Sequence, residues 1–563
     1  MTSSITKQWF YMALAVLMIT ACGGDEQTVT PPGPDAELFY AYPYADQTGV
    51  STHANVVLRV SAPVTDPDAL DQGAVALETG AGTSVPATVR LAGDTNERSI
   101  VLEPDAPLES DTEYRVVING IDTEDGTVEV PEGGFNFVTK PAAMGPNATR
   151  ASDDSFALSR QIPAGQKLPI MDFSAFRFQF TQPVDEQSVQ YGSTIGIQAS
   201  DGSTVKANVA TRGRLVTVDP VEDLDAGSTY TLTLASGLKS VFGKTLQAPF
   251  DGSHSRETVP RETAPTEQMA LNAPSGGKKS PLTGYEVNLV PVRSTLINTE
   301  SQQGGNLAAE LAFVPNYPDV TPLRVPAGMT LTGDALSINL DGEVPVGFDS
   351  GDLRVELIND ATGYLTPNPY SDAPDAPRML RLFMDVGVAT GNPVANAGFT
   401  QDVLHLEVVG KAIVEDGVLK GDGLTVVETS ILGVDRANGM LTFHMSGYQD
   451  QNNAPQPLQD TAAPFVKSWM PGDKHVGKQR PGDPIIINFN QPLASNGLRD
   501  NITVLADGAE VNDVEIAQEG AAVILRTDLD YGVQYDIQLS SDLRDLAGNR
   551  LSARTLSFTM EEP

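Results

Sequence analysis

The 563-residue sequence predicts an all-β, multidomain chain: several sandwich-sized units and one larger β-rich unit. Three observations carry that expectation. Apolar residues alternate with polar ones in short runs bounded by Gly, Pro and Asp, the period-2 pattern of half-buried strands. One set of spacings occurs three times along the chain. Within 262–455 no capped, helix-period stretch exceeds about ten residues. The balance of 36 Lys and Arg against 73 Asp and Glu gives a net charge of −37. A chain so acidic has no basic footprint for phosphate, so a nucleic-acid partner is not expected. Its single cysteine excludes a disulfide framework and a multi-thiolate metal site.

Residues 1–22 read as a targeting segment. Lys7 precedes an apolar run from Trp9 to Ile19, too short to cross about 30 Å of hydrocarbon. The run closes Ile19-Thr20-Ala21-Cys22, which resembles a bacterial lipobox, and the only thiol of the chain falls where lipidation requires it. The resemblance implies that Cys22 becomes the acylated first residue of the mature chain, making the membrane a partner through its lipid. Gly23 in place of Asp implies outer-membrane rather than inner-membrane residence, periplasmic or surface-facing. Residues 23–37, rich in Pro and Gly, read as a tether.

The repeat follows. An alternating run ends in Pro plus an aliphatic residue at VVLRVSAPV (56–64), FRFQFTQPV (176–184) and IIINFNQPL (485–493). Another proline lies upstream of each: Pro43 before Pro63, Pro163 before Pro183, Pro471 before Pro492. Downstream, Leu precedes Tyr by six residues, at Leu108/Tyr114, Leu224/Tyr230 and Leu529/Tyr535. Gly126, Gly243 and Gly548 follow. Units of about 100 residues with this many short strands have the size of an immunoglobulin-like sandwich, and Leu-x5-Tyr resembles a tyrosine corner. Such a ring is buried with its hydroxyl turned to backbone. The segments FNQPL, LDYGVQY and DLAGNRL (489–493, 529–535, 545–551) resemble the SbsA-type bacterial Ig-like domain. That resemblance spans 38–141, 152–250 and 464–563, matches best in the third copy, and implies a surface scaffold without a shared active site.

Residues 262–455 do not follow the repeat. Pro- and polar-rich linkers flank them, across which few contacts are expected. Strand-like runs fill the interior, among them LRVELIND, RMLRLFMDVGV, DVLHLEVVG and MLTFHMSG. A larger β-sandwich or barrel-like domain is expected, with hairpin turns at Asp416-Gly417 and Asp422-Gly423.

Chemistry-bearing patterns are sparse. His405 and Glu407 share a strand face, and His444 approaches if the two strands pair; solvated positions on an outer sheet face explain them better than a metal site. Asp545 and Asn549 in DLAGN read as turn residues rather than Ca2+ ligands. QQGGN (302–306) reads as a flexible turn, not a phosphate loop. No nucleophile elbow occurs, so no catalytic residue, metal or cofactor is expected. The function expected is a lipid-anchored envelope protein with a structural or adhesion-like binding role toward an envelope protein or glycan. In it a rod of Ig-like spacers presents 262–455. The alternative is a polymer hydrolase with its site in 262–455.

Overall fold

In a computed structural model the described residues run from 36 to 560. The segments 94–95, 143–154, 165–167, 248–254, 258–266, 274–276, 295–297, 313–316, 339–347, 392–399, 432–434, 455–459 and 473–478 are excepted. Cys22 and the segment read as a lipobox lie outside the described residues, as do His254 and His475.

The alternating runs are strands, and the three repeats are sandwiches of one plan. In the first, Leu38–Tyr42, Val56–Val60, Ser99–Pro104 and Ala87–Leu91 form one sheet. Gln47–Val50, Gly134–Thr139, Glu113–Ile118 and Val75–Thr79 form the other. The second pairs a sheet of Leu158–Ile162, Phe176–Phe180, Leu215–Pro220 and Ala207–Arg212 with one of Ile195–Ala199, Thr229–Leu234 and Ser255–Glu257. The third repeats the arrangement with Val466–Met470, Ile485–Phe489, Ala522–Arg526 and Glu515–Glu519 facing Ala509–Glu510, Ile502–Ala506, Gln534–Leu539 and Arg554–Thr559. The opening strand of each carries a bulge, at Leu38/Tyr40, Leu158/Arg160 and Val466/Ser468. Each ends on a cis proline: Pro43, Pro163 and Pro471.

The repeated residues hold equivalent places. Tyr114, Tyr230 and Tyr535 are buried. Their hydroxyls accept the backbone N–H of Glu109, Asp225 and Asp530 at 2.7, 2.9 and 2.8 Å. The leucine one residue before each donor is buried as well, so the pair pins the chain as it enters the next strand. Asp545 accepts the Asn549 N–H (2.8 Å) and side-chain amide (3.0 Å) and also the Gln491 amide, so DLAGN is a turn locked to the FNQPL segment.

Residues 267–446 form one sheet of eleven strands that closes on itself. Asn298–Leu311, Arg378–Thr390, Gln401–Glu415, Val418–Ile431 and Asp435–Ser446 run its length. Between Asn298–Leu311 and Asp435–Ser446 the wall is completed by Glu267–Ala273 at one end and Leu289–Arg293 at the other. Between Asn298–Leu311 and Arg378–Thr390 it is completed by Thr321–Val325 with Ala361–Thr366 at the first end, and by Thr330–Gly333 with Leu353–Leu357 at the second. A circuit at either end crosses eight strands, the number at which side chains just fill a barrel or leave room for one small ligand.

Two turn assignments are overturned. Gly304 and Gly305 lie inside the strand Asn298–Leu311, where it changes partner from Thr330–Gly333 to Thr321–Val325. Gly305 adopts φ +149°, and a Cβ there would sit 2.9 Å from Leu331 Cδ2; the glycine bends the strand at a barrel corner. Asp422-Gly423 is mid-strand, Gly423 lying opposite Gly410. Asp416-Gly417 does form the hairpin, with φ of 53° and 75°.

The rod is also overturned. Residues Ala36–Pro563 are one compact unit, because all three sandwiches dock on the barrel's outer wall. The first packs its core onto Met379, Val409 and Leu424, and Tyr40 donates to the Val409 carbonyl at 2.9 Å. The second buries Ile162 and Leu168 with Tyr364 and Phe383, and its Arg177 pairs with Asp385 at 3.0 Å with neither side chain exposed. In the third, the Gly520 N–H donates to Asp402 at 2.9 Å and Lys467 to the Thr390 carbonyl at 2.9 Å. The linkers separate composition, not contacts.

Candidate functional site

Alternation decides what faces the lumen. On Arg378–Thr390 the inward residues are Leu380, Leu382, Met384, Val386 and Val388; the outward ones, Met379, Arg381, Phe383 and Asp385, meet the sandwiches. Toward one end the inward side chains are Leu380, Leu382, Val408, Phe443 and Met445, which fill the barrel. Toward the other they are valines: Val290 and Val292, Val355, Val386 and Val388, Val403 and Val427. Valine is about one methylene shorter than leucine, so a ring of valines leaves the axis empty. The result is an apolar cavity of about 140 Å³, closed below by Leu307, Leu406, Leu441 and Phe443.

Most polar groups on its rim are hydrogen-bonded, although the buried Gln303 Oε1 has no partner. The Ser301 hydroxyl donates to the Asp334 carbonyl at 2.8 Å and receives the Gln303 amide at 2.8 Å. The Asn288 side chain bonds the backbone of His444 through both its atoms, at 3.0 and 3.2 Å. An apolar cavity of about 150 Å³ stays dry and takes up a benzene-sized guest.

A bulge on Gln401–Glu415 sets the wall beside this cavity. Leu404 and His405 together oppose Asp385, and His405 takes φ +54°. The extra residue restores inward facing to Val403 above and Leu406 below. The His405 N–H donates to Asp385 at 2.7 Å, and its ring reaches Thr217 of the second sandwich at 3.1 Å. Burial pushes the His405 pKa down.

The three residues considered for a metal site do point outward, but they do not converge, and each is engaged by partners of its own. Glu407 is clasped by Arg160 (2.7 Å) and Arg381 (2.7 Å). Burial raises its pKa, and the two guanidinium groups more than reverse that, leaving it below the ordinary carboxylate range. His444 sits between Asp422 (2.6 Å) and Lys278 (2.7 Å) in a network that Lys411 (3.0 Å) completes. Burial opposes the Asp422 charge, yet hydrogen bonds from His444 and Lys411 hold its pKa at about 2. No group of three potential metal ligands occurs among the described residues. Sequence reasoning took these side chains for an exposed sheet face; His405 and Glu407 instead tie the wall to the sandwiches, and His444 sits in a buried network of the barrel's own residues.

A second cavity, about 620 Å³, lies outside the wall where the first and second sandwiches meet it. Its lining mixes Lys140, Arg160, Arg212 and Arg436 with Asp402, Glu407 and Glu428. Glu428 is paired with Lys140 and accepts from Ser51. Burial works against that charge, but Lys140 and Ser51 keep its pKa low.

Residues 35–139, 153–255 and 460–560 each match the family described as bacterial Ig-like domain. The chain belongs to that family. The Ig-like domains are therefore the three sandwiches, and the barrel is the part outside the match. A curated relative, alkane uptake protein B of Marinobacter nauticus, is 33% identical over 592 aligned positions. The alignment covers 97% of this chain, which spans about half (55%) of the relative's length. Among solved structures, the S-layer protein SbsC is 12% identical over 92% of this chain and 67% of its own, with a TM-score of 0.14. An L,D-transpeptidase from Mycobacterium tuberculosis is 11% identical over 38% and 90%, also at 0.14. Neither structural likeness bears on function.

Proposed function

We propose that this chain is a cell-envelope binding protein that holds a hydrocarbon chain in the barrel lumen, with the Ig-like domains bracing the wall from outside. The observation that supports this reading is the valine-lined cavity: apolar on nearly every side, with too few polar groups to satisfy a glycan's hydroxyls. At about 0.8 kcal/mol per buried methylene, a segment of about six carbons gains about 5 kcal/mol before the cost of association. The relative's name, alkane uptake protein B, supports the same class of ligand. Of the carboxylates in the outer cleft, Glu407 and Glu428 are poor general acids, their pKa values both held low by their cationic partners, while burial raises that of Asp402 to about 7, where it accepts the Gly520 N–H. The apolar lumen favours binding over hydrolysis, and carriage over adhesion.

The experiment equilibrates the purified chain with n-hexane or n-hexadecane and quantifies bound hydrocarbon by gas chromatography. About one molecule per chain is expected. Val427→Trp and Val355→Phe, which fill the lumen from different walls, should each reduce occupancy severely while leaving the circular dichroism unchanged. Undiminished binding by both folded variants refutes the lumen as the site. Anchoring through acylated Cys22 to the outer membrane is part of the proposal. Cys22→Ala should leave the membrane fraction, and a variant that still sediments with outer membranes at high salt refutes the lipid anchor.

A further inference from the structure

The ladder between Gln401–Glu415 and Val418–Ile431 stops halfway. It runs from Glu415↔Val418 to Val409↔Leu424 and no further. Beyond that point each strand keeps its other neighbour: Val388 pairs with Gln401 on one side, and Ile431 with Asp435 on the other. Residues 401–408 and 425–431 therefore face each other unladdered, along roughly 25 Å of extended chain.

This seam separates the two cavities. Gln401, Val403, Leu406 and Thr429 line both the lumen and the outer cleft. The Ig-like domains grip both edges from outside. Above the last ladder pair, the first domain grips the 425–431 edge through Lys140 and Ser51 on Glu428. The 401–408 edge is held by the second domain through Thr217 on His405 and Arg160 on Glu407, by the first through Tyr44 on Glu407 (3.3 Å) and by the third through the Gly520 N–H on Asp402. The lumen, at about 140 Å³, accommodates only a benzene-sized segment. A longer chain must continue outward, and across the seam lies a cleft of about 620 Å³.

We infer that the unladdered seam is the lateral portal of the lumen, through which an apolar chain enters from the outer cleft and in which a chain longer than the cavity rests. This inference depends on the lumen binding an apolar chain, and the test separates the two. In the Cys22→Ala chain, Val403→Cys and Thr429→Cys are introduced together and joined with a bis-methanethiosulfonate reagent, whose bridge dithiothreitol removes. The association rate of 1,6-diphenylhexatriene is followed by stopped-flow fluorescence. The bridge should slow association about tenfold or more, as closing a gate does, and reductant should restore it. The same bridge across Glu415→Cys and Val418→Cys, which are already paired, should leave the rate unchanged. A rate within twofold of the unbridged protein overturns the portal but not the binding reading. Equal slowing by the control bridge likewise overturns the portal. Failure of the unbridged protein to bind the fluorophore overturns both.

Discussion

Asp385 is the residue whose replacement tests most directly whether barrel and second Ig-like domain are one structure. Four donors converge on its carboxylate: Arg177 at 3.0 Å, Thr217 at 3.1 Å, Asn359 at 3.3 Å and the His405 N–H at 2.7 Å. Arg177 and Thr217 come from the Ig-like domain, Asn359 and His405 from the barrel. Neither charged side chain has any exposure. Arg177 has one further acceptor, the Asp360 carbonyl at 2.8 Å, while its Nε and Nη1 are unpartnered. Asp385→Asn keeps the shape but strands a buried guanidinium charge, and should cost about 3–5 kcal/mol. Arg177→Met strands the carboxylate instead, but three neutral donors remain on it, so the loss should be smaller. Removing both charges with Arg177→Met and Asp385→Leu should lose much less than the two single losses combined, because the desolvation penalty disappears with the charges. Urea unfolding followed by circular dichroism, with m-values compared across the set, measures each. Asp385→Asn within about 1 kcal/mol of wild type, or single losses that simply add in the double variant, would refute the argument that a buried interdomain charge pair is what holds this face.

Tyr535→Phe removes a hydroxyl that accepts the Asp530 N–H and should cost on the order of 1 kcal/mol in urea unfolding; no change would mean the corner is ornamental. Gly305→Ala places a Cβ 2.9 Å from Leu331 at φ +149°, and should destabilise the barrel by about 1–3 kcal/mol, seen as a lowered thermal midpoint. Burial raises the Glu356 pKa from 4.5 to about 7, with the neighbouring Arg354 opposing. The folded chain thus keeps a proton there that the unfolded chain releases above pH 4.5. The resulting stability is complete below that value and lost as pH rises through 7, by up to about 3 kcal/mol. Glu356→Gln should flatten part of the decline in urea midpoint between pH 5 and pH 8, and an unchanged pH profile would contradict the assignment.

Of the candidate site, the walls were legible in the sequence and the void was not. RMLRLFMDVGV and DVLHLEVVG read as strands from their alternation. Their valine-rich ends were the available signal for a hollow lumen, but valine is equally at home in a filled core. Only the volumes of residues brought together around the axis decide whether space remains.

The sequence by itself determined the strands and the repeated sandwich. Period-2 alternation acts within a few residues, and the Tyr corner and the DLAGN turn are bonds over five and four positions of chain. The tertiary structure alone decided closure, seam and docking. The same alternation serves a sandwich or a barrel, since what differs is which edges pair. That choice joins residues as distant as Tyr40 and Val409, separated by 369 positions. The His405 bulge, the half-made ladder and the burial of Glu407 and His444 all follow from such pairings. Each side chain carries its chemistry in the sequence, but its partner is set by packing between elements that no local pattern relates.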